Sequence, residues 1–186
     1  MVWRKVVLVS ACSIAVIVHE GGKGADQRLA RAVTQCQARG LVITGLVQHN
    51  DGECALPGFA MALEDIATGQ RIGITEISVG ASQGCRLDAG GLAQAAVMLN
   101  VERHRESQLV VINKFGRQEV LGQGLRAEMA ALLTSGLPVL TTVRRDFLPA
   151  FETFAGADWA EITADAGEIV GWLAALSRTA QPATAE

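Results

Sequence analysis

The chain has 186 residues, a length that suits one domain with a substantial core. A composition that is 49% hydrophobic and 19% charged, with 20 glycines against 4 prolines, excludes a disordered chain and fits a folded protein with many tight turns. The formal net charge of -3 gives no basic field for a nucleic acid, and 4% aromatics with no tyrosine leave no base-stacking platform.

Arg4 and Lys5 precede an apolar run, residues 6–18, shaped like a secretory leader. Ser10, Cys12 and Ser13 break the run, it is too short to span a bilayer, and no small-residue cleavage motif precedes His19-Glu20. It is read as a strand, with no membrane partner. The cysteines at 12, 36, 54 and 85 form no C-x-x-C pair, so no structural metal is expected and the chain reads as a reduced, cytoplasmic protein.

Residues 14–18 are a continuous β-branched run, suited to a strand buried on both faces of a parallel sheet. Leu29, Ala32, Val33 and Cys36 recur at helical spacing, with Gly40 as C-cap, and residues 41–47 form the next strand. Residues 61–66 and 71–78 predict a β-hairpin around Ala67-Thr68-Gly69-Gln70. After a polar loop at 82–88, Asp88 caps a helix that runs through about Arg103. Residues 109–112 form a strand ending at Asn113, residues 124–135 a helix, residues 139–143 a strand and residues 166–176 a helix; a polar tail begins near Thr179. The expected fold is α/β: one domain over residues 1–178, a three-layer sandwich with a mainly parallel sheet and an inserted β-hairpin. Ligands in such sheets bind outside the carboxyl ends of the strands, which directs attention to the loops beginning at His19, Gln48, Asn113 and Arg144.

His19-Glu20-Gly21-Gly22-Lys23-Gly24-Ala25-Asp26 stands where a phosphate-binding loop belongs. Glycines there let backbone N–H groups face an anion, and the following helix adds its positive end. A working loop reads G-x-x-x-x-G-K-[ST], its Lys meeting the outer phosphates and its hydroxyl holding magnesium. Here Lys23 comes one residue before the last glycine, and Ala25-Asp26 take the place of the hydroxyl. Asp26 competes with a phosphate for the helix N–H groups. Two readings stay open: a tight turn capped by Asp26, or an anion site built from Gly21, Gly22, Lys23 and Gly24.

Asn113-Lys114-Phe115-Gly116-Arg117-Gln118-Glu119 follows a buried strand at the point where a hydrolase keeps an acid for magnesium. Asn113 and Lys114 reverse that charge. Asn-Lys also opens the guanine-reading motif, but Gly116 stands where that motif needs Asp. In one reading Asn113 and Glu119 order a surface loop and cap the next helix; in the other, Lys114 and Arg117 face Lys23 and clamp a tetrahedral oxyanion. In the polar loop, Ser82, Cys85, Arg86 and Asp88 offer a guanidinium fork for an oxyanion and a thiol near a helix N-terminus. The alternative makes Cys85 a buried filler and pairs Arg86 with Asp88.

These motifs resemble a bacterial family of uncharacterised function, typically encoded beside molybdate-transport genes. The matching residues are Gly45-Leu46-Val47-Gln48, Leu63-Glu64-Asp65-Ile66-Ala67-Thr68-Gly69, Gly84-Cys85-Arg86-Leu87-Asp88, and Asn113-Lys114-Phe115-Gly116 through Glu119, Gly122, Gly124, Leu125 and Arg126. That family is in turn similar to small P-loop nucleoside triphosphatases, which share the early strand-turn-helix, an L-x-D-x-x-T-G hairpin and an acidic D-E-I-G-K-M-E loop. This chain keeps Gly116 and Glu119 of the acidic loop and loses both leading acids. The resemblance implies the fold more than the hydrolysis.

Three functions follow as expectations. The first is a non-hydrolytic binding protein for molybdate, phosphate or a nucleotide, in molybdenum homeostasis. The second is a triphosphatase with a degenerate phosphate loop, in which Glu119 orients water. The third is an interaction module docking a partner or a second copy as a homodimer, with Trp3, Trp159 and Trp172 as contact candidates, although Trp172 lies near a helix face expected to be core.

Overall fold

The computed structural model describes residues 12–21, 24–50, 56–76 and 86–180. Gly22, Lys23, Ser82, Cys85 and Trp3, and the leading run up to residue 11, lie outside the described residues. The element order is β1 (Ile14–His19), α1 (Gly24–Ala38), β2 (Ile43–His49), β3 (Phe59–Asp65), β4 (Arg71–Glu76), β5 (Arg86–Leu87) and α2 (Ala89–Met98). There follow β6 (Leu109–Phe115), α3 (Arg117–Val120), α4 (Arg126–Leu133), β7 (Val139–Arg144), α5 (Leu148–Ala155), β8 (Ala160–Glu161) and α6 (Ala166–Ala180).

The strands form one sheet in the order β5-β4-β3-β2-β6-β7-β1-β8. From β2 to β8 every pairing is parallel, and β3, β4 and β5 extend the sheet antiparallel. The expected mainly parallel α/β fold with an inserted hairpin is therefore present. Strand alternation sends side chains to two apolar layers. Leu109 and Val111 of β6 pack with Leu29, Val33, Ile169 and Trp172 of α1 and α6. Val110 and Ile112 pack on the other face with Leu99, Met129, Leu132 and Phe151. Strands buried on both faces read as continuous apolar runs, which is why they were visible in the sequence.

Local chemistry sets the element ends. Gly40 closes α1 at φ +87°: its N–H donates to Gln37 O at 2.9 Å and that of Leu41 to Cys36 O at 3.3 Å, a Schellman pattern. Gly45 lets β2 approach β6; a Cβ there would stand 2.0 Å from Val111 O. Asp65 closes the hairpin by accepting from the N–H of Ala67 at 2.9 Å. Asp88 caps α2 as expected, accepting from the N–H of Gly91.

The structure corrects several boundaries. The helix expected to run through Arg103 stops at Met98, because Asn100 accepts from Glu102 N–H at 3.0 Å and starts a separate 3-10 turn, Val101–His104. The segment between β7 and α6, unassigned from the sequence, holds α5 and β8. Pro149 lies in the first turn of α5, where a missing N–H is tolerated. Phe151 and Phe154 of α5 meet Phe115 at ring-centroid distances of 5.2 and 5.3 Å, and Trp159 meets Phe151 at 6.0 Å. Trp172 is buried and donates its indole N–H to Cys12 O at 3.1 Å. Trp172 thus belongs to the core, and the half-buried Trp159 packs against it. No helix among the described residues is long and apolar enough to cross a membrane.

Candidate functional site

Because β1, β2, β6 and β7 run parallel, their carboxyl ends share one edge of the sheet, and His19, Gln48, Asn113 and Arg144 all lie at or near it. The hub of this edge is Asp26, third residue of α1 and 3% exposed. Its Oδ1 accepts from Asn113 Nδ2 at 2.8 Å; its Oδ2 accepts from Asn50 Nδ2 at 2.8 Å and Lys114 Nζ at 3.2 Å. Asn113 also donates to Thr142 Oγ1 at 3.1 Å and accepts from the N–H of Gln48 at 3.2 Å. Gln48 in turn donates through Nε2 to Asn50 Oδ1 at 2.7 Å. One buried carboxylate therefore gathers α1 and side chains from β6 and the end of β2. Asn113 is buried and acts inside this network rather than at the surface, whereas the loop-ordering role in the same reading falls to Glu119. Beyond the capping role that one reading gave Asp26, its two oxygens serve donors from other elements.

Successive residues of a regular strand point to opposite faces, yet Asn113 and Lys114 both reach Asp26. A bulge resolves this. From Ile112 to Phe115, β6 advances three residues while β7 advances two, from Thr141 to Val143. The extra residue re-aims Lys114, and Phe115 returns to the face that carried Val110 and Ile112. The Asn113–Lys114 peptide bond is cis.

Among the described residues, Asp26 and Lys114 reverse the charges of the two positions they occupy. A hydrolytic site carries its cation and hydroxyl after the first strand and its acid at the end of the strand corresponding to β6. Here the acid is Asp26, on α1, and the cation is Lys114, on β6. Magnesium, which takes oxygen ligands, does not fit these residues. Asp26 offers oxygens already engaged by three donors, and the ammonium of Lys114 lies 3.2 Å from Oδ2.

Beside the hub lies a cavity of about 350 Å³ whose lining includes His19, Gly21, Lys114, Arg117, Arg144 and Phe147. His19 Nδ1 accepts the N–H of Gly21 at 3.1 Å, so a neutral ring carries its proton on Nε2. That Nε2 is buried without a hydrogen-bond partner. Burial, followed by the charge of Lys114, pushes the His19 pKa down from its ordinary value. Arg144 pairs with the Asp146 carboxylate and stacks on Phe147 with Cζ 4.4 Å from the ring centroid. Lys114, Arg117 and Arg144 thus line one space, the first paired with Asp26 and the last with Asp146, and His19 adds a neutral donor.

Glu119, the candidate catalytic residue, is buried with both oxygens committed. Oε2 accepts from the N–H of Gly116 at 2.9 Å and Oε1 from that of Leu125 at 3.1 Å. Its backbone carbonyl accepts from Arg126 Nη1 at 2.7 Å, while Arg126 stacks on Phe154. Glu119 fixes the β6–α4 connection. Gly24 and Gly21 frame the start of α1, whereas Asp88 is occupied with its own helix and does not line this cavity. Arg86 joins β5 through its backbone, four strands from β6. Reading single motifs missed Asn50, Arg144 and His19 as site residues; the strand-end rule had already pointed at the loops that carry them.

The chain is 34% identical over 161 residues to the molybdenum import ATP-binding protein ModC 2 of Bradyrhizobium diazoefficiens; the match covers 86% of this chain but 18% of that protein's length. The solution structure of a human cancer-related nucleoside triphosphatase superposes with a TM-score of 0.63 at 13% identity, covering 90% of this chain and 98% of its own. The crystal structure of THEP1 from Aquifex aeolicus gives 0.60 at 14% identity, covering 90% and 99%. At such identities the likeness is one of fold. Residues 14–172 match the family described as protein of unknown function (DUF2478), and the chain belongs to that family.

Proposed function

We propose that the chain binds the phosphate of a nucleotide, or a similar tetrahedral oxyanion such as molybdate, without cleaving it, in molybdenum homeostasis. The observation that carries this reading is the cavity at the carboxyl edge of the sheet, where His19, Lys114, Arg117 and Arg144 converge. Three cationic groups and one buried N–H donor without a partner match the surface of a tetrahedral dianion, and charge-assisted hydrogen bonds are the strong ones. The relative named as a molybdenum import ATP-binding protein supports both the nucleotide and the molybdenum parts.

The reversal of charge at Asp26 and Lys114 argues against hydrolysis. Cleavage needs a group that orients the attacking water and a cation that bridges the outer phosphates. Glu119 is bound to two backbone N–H groups, and Asp26 is bound to Asn50, Asn113 and Lys114. Lys114 supplies a fixed monovalent cation in this reading, so binding does not require magnesium.

Calorimetric titration with ATP, GTP, phosphate, molybdate and tungstate, in EDTA and in magnesium, tests the reading. At least one anion binds in EDTA, phosphate release from ATP and GTP stays at background, and Lys114→Met weakens binding about tenfold, the worth of one charged hydrogen bond. Magnesium-dependent phosphate release that disappears in Glu119→Gln would establish the hydrolytic reading instead. No heat and no thermal shift with any anion would end both.

A further inference from the structure

A second cavity of about 350 Å³ adjoins the anion cavity, between the β3–β4 hairpin and the β6–α3 loop, and shares Lys114, Gly116 and Arg117 with it. Its wall includes Leu63, Ile74 and Leu125. Two polar atoms of residues lining it, Thr75 Oγ1 and Gln118 Oε1, are buried with no hydrogen-bond partner. Thr75 is 1% exposed, so neither solvent nor protein satisfies its hydroxyl. Native structures rarely leave such atoms unpaired, and two around one cavity point to an occupant. The volume lies at the lower end of the range for small-ligand pockets, roughly 300–1,000 Å³.

The chemistry of the wall narrows that occupant. Gln118 Oε1 accepts only, so the occupant must bring an N–H or O–H donor. Thr75 has one proton to give and so answers a carbonyl or ring-nitrogen acceptor. The apolar residues suit the face of a ring. The Glu119 carboxylate, held by the N–H groups of Gly116 and Leu125, keeps its negative charge beside the cavity and disfavours an anionic ring there. Positive charge occurs at the rim shared with the anion cavity, in Lys114 and Arg117.

We propose that the second cavity holds the uncharged ring of a phosphorylated heterocycle bearing both an N–H donor and a carbonyl acceptor, its phosphate lying in the anion cavity. This assignment rests on the anion-binding reading above and names the ligand class for that site. Lys114 and Arg117 stand at the junction, where the charged and uncharged parts of such a ligand meet.

Titration of the full chain in EDTA with inorganic phosphate, ribose 5-phosphate and GMP tests it. GMP binds at least about tenfold more tightly than ribose 5-phosphate, the gain expected from two hydrogen bonds and ring burial. Thr75→Val and Gln118→Leu each remove most of that gain and leave the affinity for inorganic phosphate unchanged. The free Thr75→Val protein unfolds at the same or higher urea concentration, since an isosteric methyl replaces an unpaired buried hydroxyl, and this separates lost binding from lost folding. Equal affinity for the three ligands would mean that the second cavity holds only water, and a GMP advantage that survives both variants would place the ring elsewhere; either result overturns the assignment while leaving the anion site intact. Absence of binding by inorganic phosphate together with GMP would remove the anion site itself.

Discussion

Asp26 and Lys114 are each ambiguous alone and informative together. Asp26 sits where a phosphate loop keeps its hydroxyl, and Lys114 sits where the acidic loop keeps its carboxylate. From the sequence these read as two losses, because 88 positions separate them and periodicity says nothing about such a pair. In the structure they form one ion pair, with Asp26 nearly buried and Lys114 partly exposed. Asp26 has two opposed effects: it holds Lys114 and Asn113 in place, and it puts negative charge beside the proposed anion. Asp26→Ser restores the hydroxyl of a working loop and separates these effects. Losing a buried acceptor of three donors costs about 2–3 kcal/mol, read as a lower urea midpoint. Phosphate affinity, measured by calorimetry, rises because Lys114 is released from its carboxylate. If phosphate instead binds more weakly, Asp26 acts as the positioning residue for Lys114 and competition is the minor effect.

At the level of elements, the legible parts were those whose stability comes from burial on a regular period. β1, β6 and β7 announced themselves as apolar runs, and α1 and α6 as amphipathic helices. The site depends on features without a period. The bulge after Ile112 changes the facing of Lys114 and leaves no mark in the hydrophobic pattern. The four-residue α3 is too short to show helical spacing, and it is held by the Glu119 carboxylate rather than by an apolar face. Gly124 belongs to this device: it adopts φ +64°, and a Cβ there would stand 2.3 Å from Glu119 Oε1. Gly124→Ala therefore strains its own backbone and pushes Glu119 off the N–H of Leu125, a cost of roughly 2–3 kcal/mol. Hydrogen exchange should show the amides of Gly116 and Leu125 losing protection both in this variant and in Glu119→Ala. Protection retained in Glu119→Ala would mean that the loop is held by the Arg126–Phe154 contact instead.

Across the whole molecule, the parallel strands gather the anion site on one edge, and the antiparallel hairpin adds the wall of the second cavity. The layers and the edge are legible in the sequence, because chain order and strand direction determine them. Nothing in the hydrophobic pattern marks how β2 is fastened to the connection before β6, which depends on the buried His104. His104 Nδ1 pairs with Thr44 Oγ1 at 2.8 Å and Nε2 with Met98 O at 3.0 Å, so the neutral ring uses both nitrogens. Desolvation by burial is the largest cause lowering its pKa from 6.5, with Arg103 adding to the fall while the Met98 carbonyl and Asp65 oppose it. His19, at the carboxyl edge of the sheet, is lowered chiefly by burial as well. A folded-state pKa below that of the unfolded chain means that the unfolded chain takes up the proton first. Stability from these rings is complete above pH 6.5 and is lost as pH falls through the depressed folded-state values. The urea midpoint should therefore be higher at pH 7.5 than at pH 5.5. His104→Gln lowers the midpoint at pH 7.5, because one ring contact is lost, and reduces the difference between the two pH values, because one titrating group is gone. An undiminished difference in a His19→Gln, His104→Gln double variant would assign the acid sensitivity to the carboxylates and leave the histidines a purely structural part.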